Sequence, residues 1–141
     1  IRLTVAARAG DAEAMAALKA LRPHLAEVRH VEGYAHDDLP ALLADVALGI
    51  VPVQWEDNLP QVALEMHARH IPLITSDRGG AQELGRAPAF VFRAEDAQDL
   101  HRVLRRVLDG ALQPAEYWAR ARPPTSMAEH LDALLGIYAG G

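Results

Sequence analysis

The chain has 141 residues, half of them apolar, which is one domain's worth of sequence and enough to build a core. Fourteen Lys and Arg against nineteen Asp and Glu leave a net charge of −5, so there is no basic surplus to neutralise a nucleic acid backbone. The absence of cysteine excludes disulfides, thiolate zinc sites and thiol nucleophiles, and the longest apolar run, Val46 to Val53, is far short of the roughly 18 residues a membrane span needs.

From the first residue, short apolar runs alternate with amphipathic stretches, the pattern of a parallel sheet covered by helices. Strands are predicted at Ile1–Ala6, Glu27–Val31, Ala47–Val51, Pro72–Thr75 and Ala89–Phe92. Ile1 already belongs to a strand-like run and is not Met, so the chain is expected to be a piece of a longer protein. After the first strand, Asp11 is placed to cap a helix bearing Met15, Leu18, Leu21 and Leu25, with a break at Pro23. Asp38 and Pro40 start a short helix carrying Leu39, Leu42 and Leu43, and Pro60 starts another that runs towards Arg69. Leu100, Val103, Leu104, Val107 and Leu108 form a stripe of helical period, with Arg102, Arg105 and Arg106 turned away from it.

Beyond Pro114 the alternation stops. Pro123 and Pro124 divide the tail, and Ser126 with Glu129 forms a capping box for a last helix carrying Met127, Leu131, Leu134, Leu135 and Tyr138. Two successive helices without a strand predict a tail that wraps the sheet, with Tyr117 and Trp118 as packing anchors. The architecture expected is a doubly wound α/β sheet of about five strands, forming one domain over residues 1–141.

In such sheets ligands bind outside the carboxyl ends of the strands. The loop after the first strand, Ala6 to Asp11, lacks the glycines and lysine of a dinucleotide fingerprint or a P-loop. The loop after the third strand is richer: Gln54, Trp55, Glu56, Asp57 and Asn58 lead through Leu59 into a helix at Pro60. A helix start offers unpaired N–H groups to a phosphate or sugar oxygen. Glu65, between Leu64 and Met66, falls on a face next to the core, where a carboxylate can accept from both hydroxyls of a vicinal diol. The alternative is that Glu65 is a solvated helix residue and Asp57 a capping acid. Trp55 either stacks on a ligand or anchors the loop. His67 and His70 are expected to be solvated at the helix end, and no third ligand makes them a metal site.

Gly33-Tyr34, Asp38 to Leu43, Ile50 to Val53, Asp57 through Glu65, and Ile71 to Asp77 followed by Gly79-Gly80 and Glu83 occur in an order that resembles the glycosyltransferase family 4 group. The stretch from Ile1 to about Phe92 is similar to the C-terminal, donor-binding half of a GT-B enzyme, with a mostly parallel Rossmann-like sheet. The resemblance implies a retaining glycosyltransferase that moves a hexose-type unit from a nucleotide diphosphate to an acceptor hydroxyl. Its two acids, with seven residues between them, match Asp57, facing hydroxyls of the donor sugar, and Glu65, on the ribose hydroxyls. Glu56 competes with Asp57 but is spaced one residue too far from Glu65.

The family's glycine turn between these acids is replaced by Asn58-Leu59-Pro60, where Asn58 can stand in for a glycine at positive φ and the amides of Leu59, Gln61 and Val62 are left to approach the diphosphate. Tyr34, Ala35 and His36 match the segment that seats the base, and Gly79-Gly80 either lines the same cleft or is only a tight turn. His70 stands where glycine commonly ends the helix, which implies a weaker stop.

The resemblance further implies no cofactor and no metal, a nucleotide-sugar donor, an unidentified glycan, lipid or small-molecule acceptor, and no nucleic acid partner. The diphosphate-neutralising Arg and Lys and the acceptor-binding N-terminal domain are expected upstream of Ile1, so this stretch alone is expected to be inactive. Arg8 is placed either near the phosphates or in an exposed loop. A cytoplasmic location is expected, with attachment to the inner face of a membrane left to the missing domain. A non-catalytic Rossmann-like binding module and half of a sugar-nucleotide epimerase are the alternative readings.

Overall fold

The computed structural model describes residues 1–7 and 12–139, which form two compact units, Ile1–Asp45 and Val46–Gly141. The loop holding Arg8 and the proposed cap Asp11 lie outside the described residues.

In the first unit β1 (Arg2–Ala6) pairs in parallel with β2 (Glu27–Val31), from Arg2 opposite Glu27 to Ala6 opposite Val31. The crossover contains α1 (Ala12–Leu21), which ends where Pro23 opens a short 3-10 turn, Arg22–His24. Proline has no N–H to continue the ladder, which accounts for the break. A second 3-10 turn, His36–Asp38, leads into α2 (Leu39–Leu43). Asp38 does not cap that helix. Its carboxylate accepts from the Ala35 N–H at 2.9 Å and closes the preceding turn, while Leu39 is buried.

The second unit is a three-stranded parallel sheet in the order β3 (Gly49–Val51), β4 (Leu73–Ser76), β5 (Val91–Phe92). All five predicted strands therefore form, shorter than expected at the third and fifth, and their ladders make a Rossmann-like α/β protein with two parallel sheets. β5 loses its first residues to a 3-10 turn, Pro88–Phe90, because Pro88 cannot donate to a ladder. β4 is buried along its whole length, as befits the central strand of a covered parallel sheet.

Between these strands lie α3 (Gln61–Ala68) and α4 (Ala81–Gly85), and after them α5 (Ala97–Leu108), α6 (Pro114–Trp118) and α7 (Met127–Ala139). The core gathers Val51, Ala63, Met66, Leu73, Ile74, Phe90, Phe92, Val103, Leu112 and Tyr117. α5 turns its stripe inward, with Val103 buried, and exposes Arg102, Arg105 and Arg106. Its cap is Asp96, whose Oδ1 accepts from the N–H groups of Gln98 at 3.0 Å and Asp99 at 2.9 Å. Asp96→Ala is expected to destabilise the protein by about 1 kcal/mol in urea titrations, with Asp96→Asn close to wild type.

The tail wraps the sheet as far as α6, where Tyr117 is buried and Trp118 half-buried. α7 departs from the expectation. Its capping box forms, with the Ser126 N–H on Glu129 at 2.7 Å and the Glu129 N–H on Ser126 Oγ at 3.2 Å, and these bonds hold the Glu129 carboxyl below its ordinary pKa. Yet Met127, Leu131, Leu135, Ile137 and Tyr138 are exposed. The prolines at 123 and 124 separate the two helices, so the burial of α6 does not carry α7 with it.

Candidate functional site at the carboxyl ends of β3 and β4

Parallel pairing sets the carboxyl ends of β3 and β4 side by side, and the loops that leave them touch. The Gly80 N–H donates to the Asp57 carbonyl at 2.9 Å, and the Gly79 N–H donates to Glu56 Oε2 at 3.1 Å. The Arg78 guanidinium stands 3.5 Å from Glu56 Oε1. Below them Ser76 Oγ donates to the Val53 carbonyl at 2.7 Å, tying the end of β4 to the start of the other loop.

Both glycines are required by this closeness. A Cβ on Gly80 would run into the Asn58 carbonyl oxygen, and one on Gly79 into the Asp57 backbone. Gly79 also has φ +65°, in the left-handed region. Asn58 was the residue expected at positive φ, but it is not there; the turn that needs left-handed backbone is the one opposite.

The two competing acids are separated by these contacts. Glu56 is turned onto the β4 loop, whereas Asp57 is half-buried and no described group hydrogen-bonds to its carboxylate. Trp55 is 67% exposed, so it does not anchor the loop in the core. Pro60 precedes α3 and its carbonyl accepts from the Ala63 N–H at 3.0 Å and the Leu64 N–H at 3.3 Å. The N–H groups of Gln61 and Val62, one position earlier, have no partner among the described residues. One turn further on, Glu65 is half-buried, and Gln61 Nε2 donates to its Oε1 at 2.9 Å. Glu56, Asp57, Asn58, Gly79 and Gly80 thus meet at one edge of the second unit, and Glu65 lies in the helix that follows the first of these loops. Tyr34, Ala35 and His36 are exposed residues of the first unit, beyond the carboxyl end of β2.

His67 corrects the expectation of solvated histidines. It is 2% exposed, with Nδ1 2.8 Å from the Tyr117 hydroxyl and Nε2 2.8 Å from the Arg122 carbonyl. A carbonyl only accepts, so Nε2 carries the hydrogen and, in the neutral ring, Nδ1 accepts from Tyr117. Burial raises the pKa of the Tyr117 phenol. His70 remains exposed and takes φ +59°, the left-handed position that usually falls to glycine. Its N–H reaches the His67 carbonyl at 3.0 Å, and its ring lies 5.5 Å from that of Trp118. The tail therefore clamps the end of the helix that carries Glu65. The sequence signal for this clamp was the Tyr117-Trp118 pair opposite two histidines at helical spacing.

Beyond the loops, a shallow groove of about 670 Å³ is lined by Asp77, Gln82, Glu83, Arg86, Arg93 and Asp99 among others, and by neither Asp57 nor Glu65. Two of its acids hold backbone groups: Asp77 accepts from the Ala94 N–H at 2.8 Å. Asp99 accepts from Arg102 and from the Arg93 N–H, which together hold its pKa below the ordinary value. Among the described residues no group of three His, Asp or Glu is placed to hold a metal ion, and no helix is long and apolar enough to cross a membrane.

In open α/β sheets ligands bind at the carboxyl edge, where this protein sets its acid-bearing loop. Residues 1–110 match the family model described as glycosyl transferases group 1, and the chain belongs to that family, whose reaction is glycosyl transfer from a sugar donor to an acceptor. A search of curated proteins gave no match.

Proposed function

We propose that this chain is the nucleotide-sugar-binding part of a retaining glycosyltransferase of GT-B build. Glu65 takes the two ribose hydroxyls of the donor nucleotide, and Asp57 takes hydroxyls of a hexose-type sugar. The unpaired N–H groups of Gln61 and Val62 face the diphosphate between them. In transfer, the bond from the anomeric carbon to the diphosphate breaks and a bond to the acceptor oxygen forms on the same face. Stabilising the departing diphosphate and holding both substrates in line supply most of the acceleration. The acceptor is held by a second, N-terminal domain, and the donor binds without metal.

The observation that carries the reading is the pair of half-buried carboxylates at one sheet edge. One is braced by Gln61, and the other has no hydrogen-bond partner among the described residues, while its neighbour Glu56 is engaged by the adjoining loop. A carboxylate held by a bracing donor is fixed in orientation, and a carboxylate can accept from both hydroxyls of a vicinal diol. Glu65→Ala is expected to weaken binding of UDP, GDP or ADP, whichever the protein prefers, by about 1.5–3 kcal/mol, the worth of a hydrogen bond to a charged group. Isothermal calorimetry on the wild type and the variant measures it; equal affinities would remove Glu65 from the site.

A further inference from the structure

The loops that meet at the carboxyl edge, residues 52–60 and 77–80, contain three carboxylates, Glu56, Asp57 and Asp77, and a single cation, Arg78. Asp77 is occupied by the Ala94 N–H, and Glu56 by the Gly79 N–H. Arg78 itself is held loosely. Its 3.5 Å approach to Glu56 is long for a charge-assisted hydrogen bond, and the two side chains are 49% and 73% exposed. An exposed pair of this kind contributes little to stability. Its backbone, by contrast, is fixed, because the following residue is the left-handed Gly79 that packs on Asp57.

We infer that Arg78 is a donor-binding residue whose guanidinium leaves Glu56 to pair with the diphosphate of the nucleotide sugar. The inference rests on the proposed donor site and adds to it the one cation that these two loops contain. A diphosphate entering beside Glu56 and Asp57 meets like charge. Arg78 is tethered within reach of Asp57 and presents the planar fork of donors that matches phosphate oxygens. The exchange leaves no orphan, since the Gly79 N–H keeps its bond to Glu56 when the guanidinium departs.

Calorimetry with uridine, guanosine, adenosine and their diphosphates separates the contributions in the wild type, Arg78→Gln, Glu56→Gln and Glu65→Ala. Arg78→Gln is expected to weaken diphosphate binding by about tenfold or more, the usual scale for one charge-assisted contact, and to leave nucleoside binding within about twofold. Glu56→Gln retains an acceptor for the Gly79 N–H and removes the competing charge, so diphosphate binding is expected to hold or tighten. Glu65→Ala weakens nucleoside and diphosphate alike. Unchanged diphosphate affinity in Arg78→Gln overturns the inference, and so does an equal loss in Arg78→Gln and Glu56→Gln, which would make Arg78 only a brace between loops. Nucleoside affinity untouched by Glu65→Ala, with Arg78→Gln still selective for the diphosphate, would instead fault the ribose contact and leave Arg78 standing.

Discussion

Gly80→Ala is expected to lower the melting temperature by several degrees and to abolish discrimination among donor sugars while nucleoside binding persists. The backbone at Gly80 is ordinary right-handed helix, φ −82°, so the substitution brings no conformational penalty of its own. The whole effect comes from space. The added methyl would overlap the Asn58 carbonyl oxygen, part of a backbone that cannot swing aside as a flexible side chain does. Either the two loops separate, losing the hydrogen bond from Gly80 to Asp57, or the 57–59 segment is pushed away from β4. Overpacking of this kind costs about 1–3 kcal/mol.

Gly79→Ala adds to a similar clash a side chain at φ +65°, about 1 kcal/mol more, and is expected to be the worse of the two. On the proposed assignment the displaced residue is Asp57, not Glu65, which sits a turn into α3 with its own brace from Gln61. Hence the expected split: thermal melts move, nucleoside affinity holds, and selectivity among nucleotide sugars collapses. Wild-type stability in Gly80→Ala would show that the loops tolerate separation.

What the sequence made legible follows from which interactions are local. Five apolar runs at regular spacing are enough to place the five strands, because a covered parallel strand announces itself by composition alone. The helix start at Ser126 was open to reading, since a cap and its partner lie within three residues of each other. Asp38 and Pro40 start their helix as the sequence implies, with the Asp38 carboxylate drawn to the Ala35 N–H behind it.

The non-local pairings were hidden. Nothing near Glu56 in the chain says that its carboxylate will be taken by the Gly79 N–H. Nor does any pattern around Arg78 mark it, beyond its place between Asp77 and Gly79. His67 was misjudged because its partners, Tyr117 and Arg122, are 50 and 55 residues away, and a histidine near a helix end is ordinarily wet.

His67→Ala is expected to destabilise the protein by about 2–5 kcal/mol, combining a cavity in the core with a buried Tyr117 hydroxyl left without its partner. The imidazole fills the space between Tyr117 and Trp118, with ring centroids 5.7 and 5.1 Å away, so its removal loosens the tail from α3. His67→Phe keeps most of the volume but still orphans the Tyr117 hydroxyl, and about 1–3 kcal/mol is expected. The decisive comparison is the double variant. Tyr117→Phe alone leaves Nδ1 of His67 without its donor, whereas His67→Phe with Tyr117→Phe removes both ends of that bond. The pair is expected to be less destabilised than the sum of the singles, since replacing both partners by apolar groups spares the cost of an orphan.

Urea titrations of the four proteins give the coupling directly, and additive losses would mean that the 2.8 Å contact contributes nothing. The same hydroxyl sets an alkaline limit. Burial raises the folded-state pKa of Tyr117 above the ordinary 10.0, so above that pH the unfolded chain binds fewer protons than the native one. Its contribution to stability is complete below pH 10.0 and is lost as the pH rises towards the folded-state pKa, a fall that Tyr117→Phe is expected to remove.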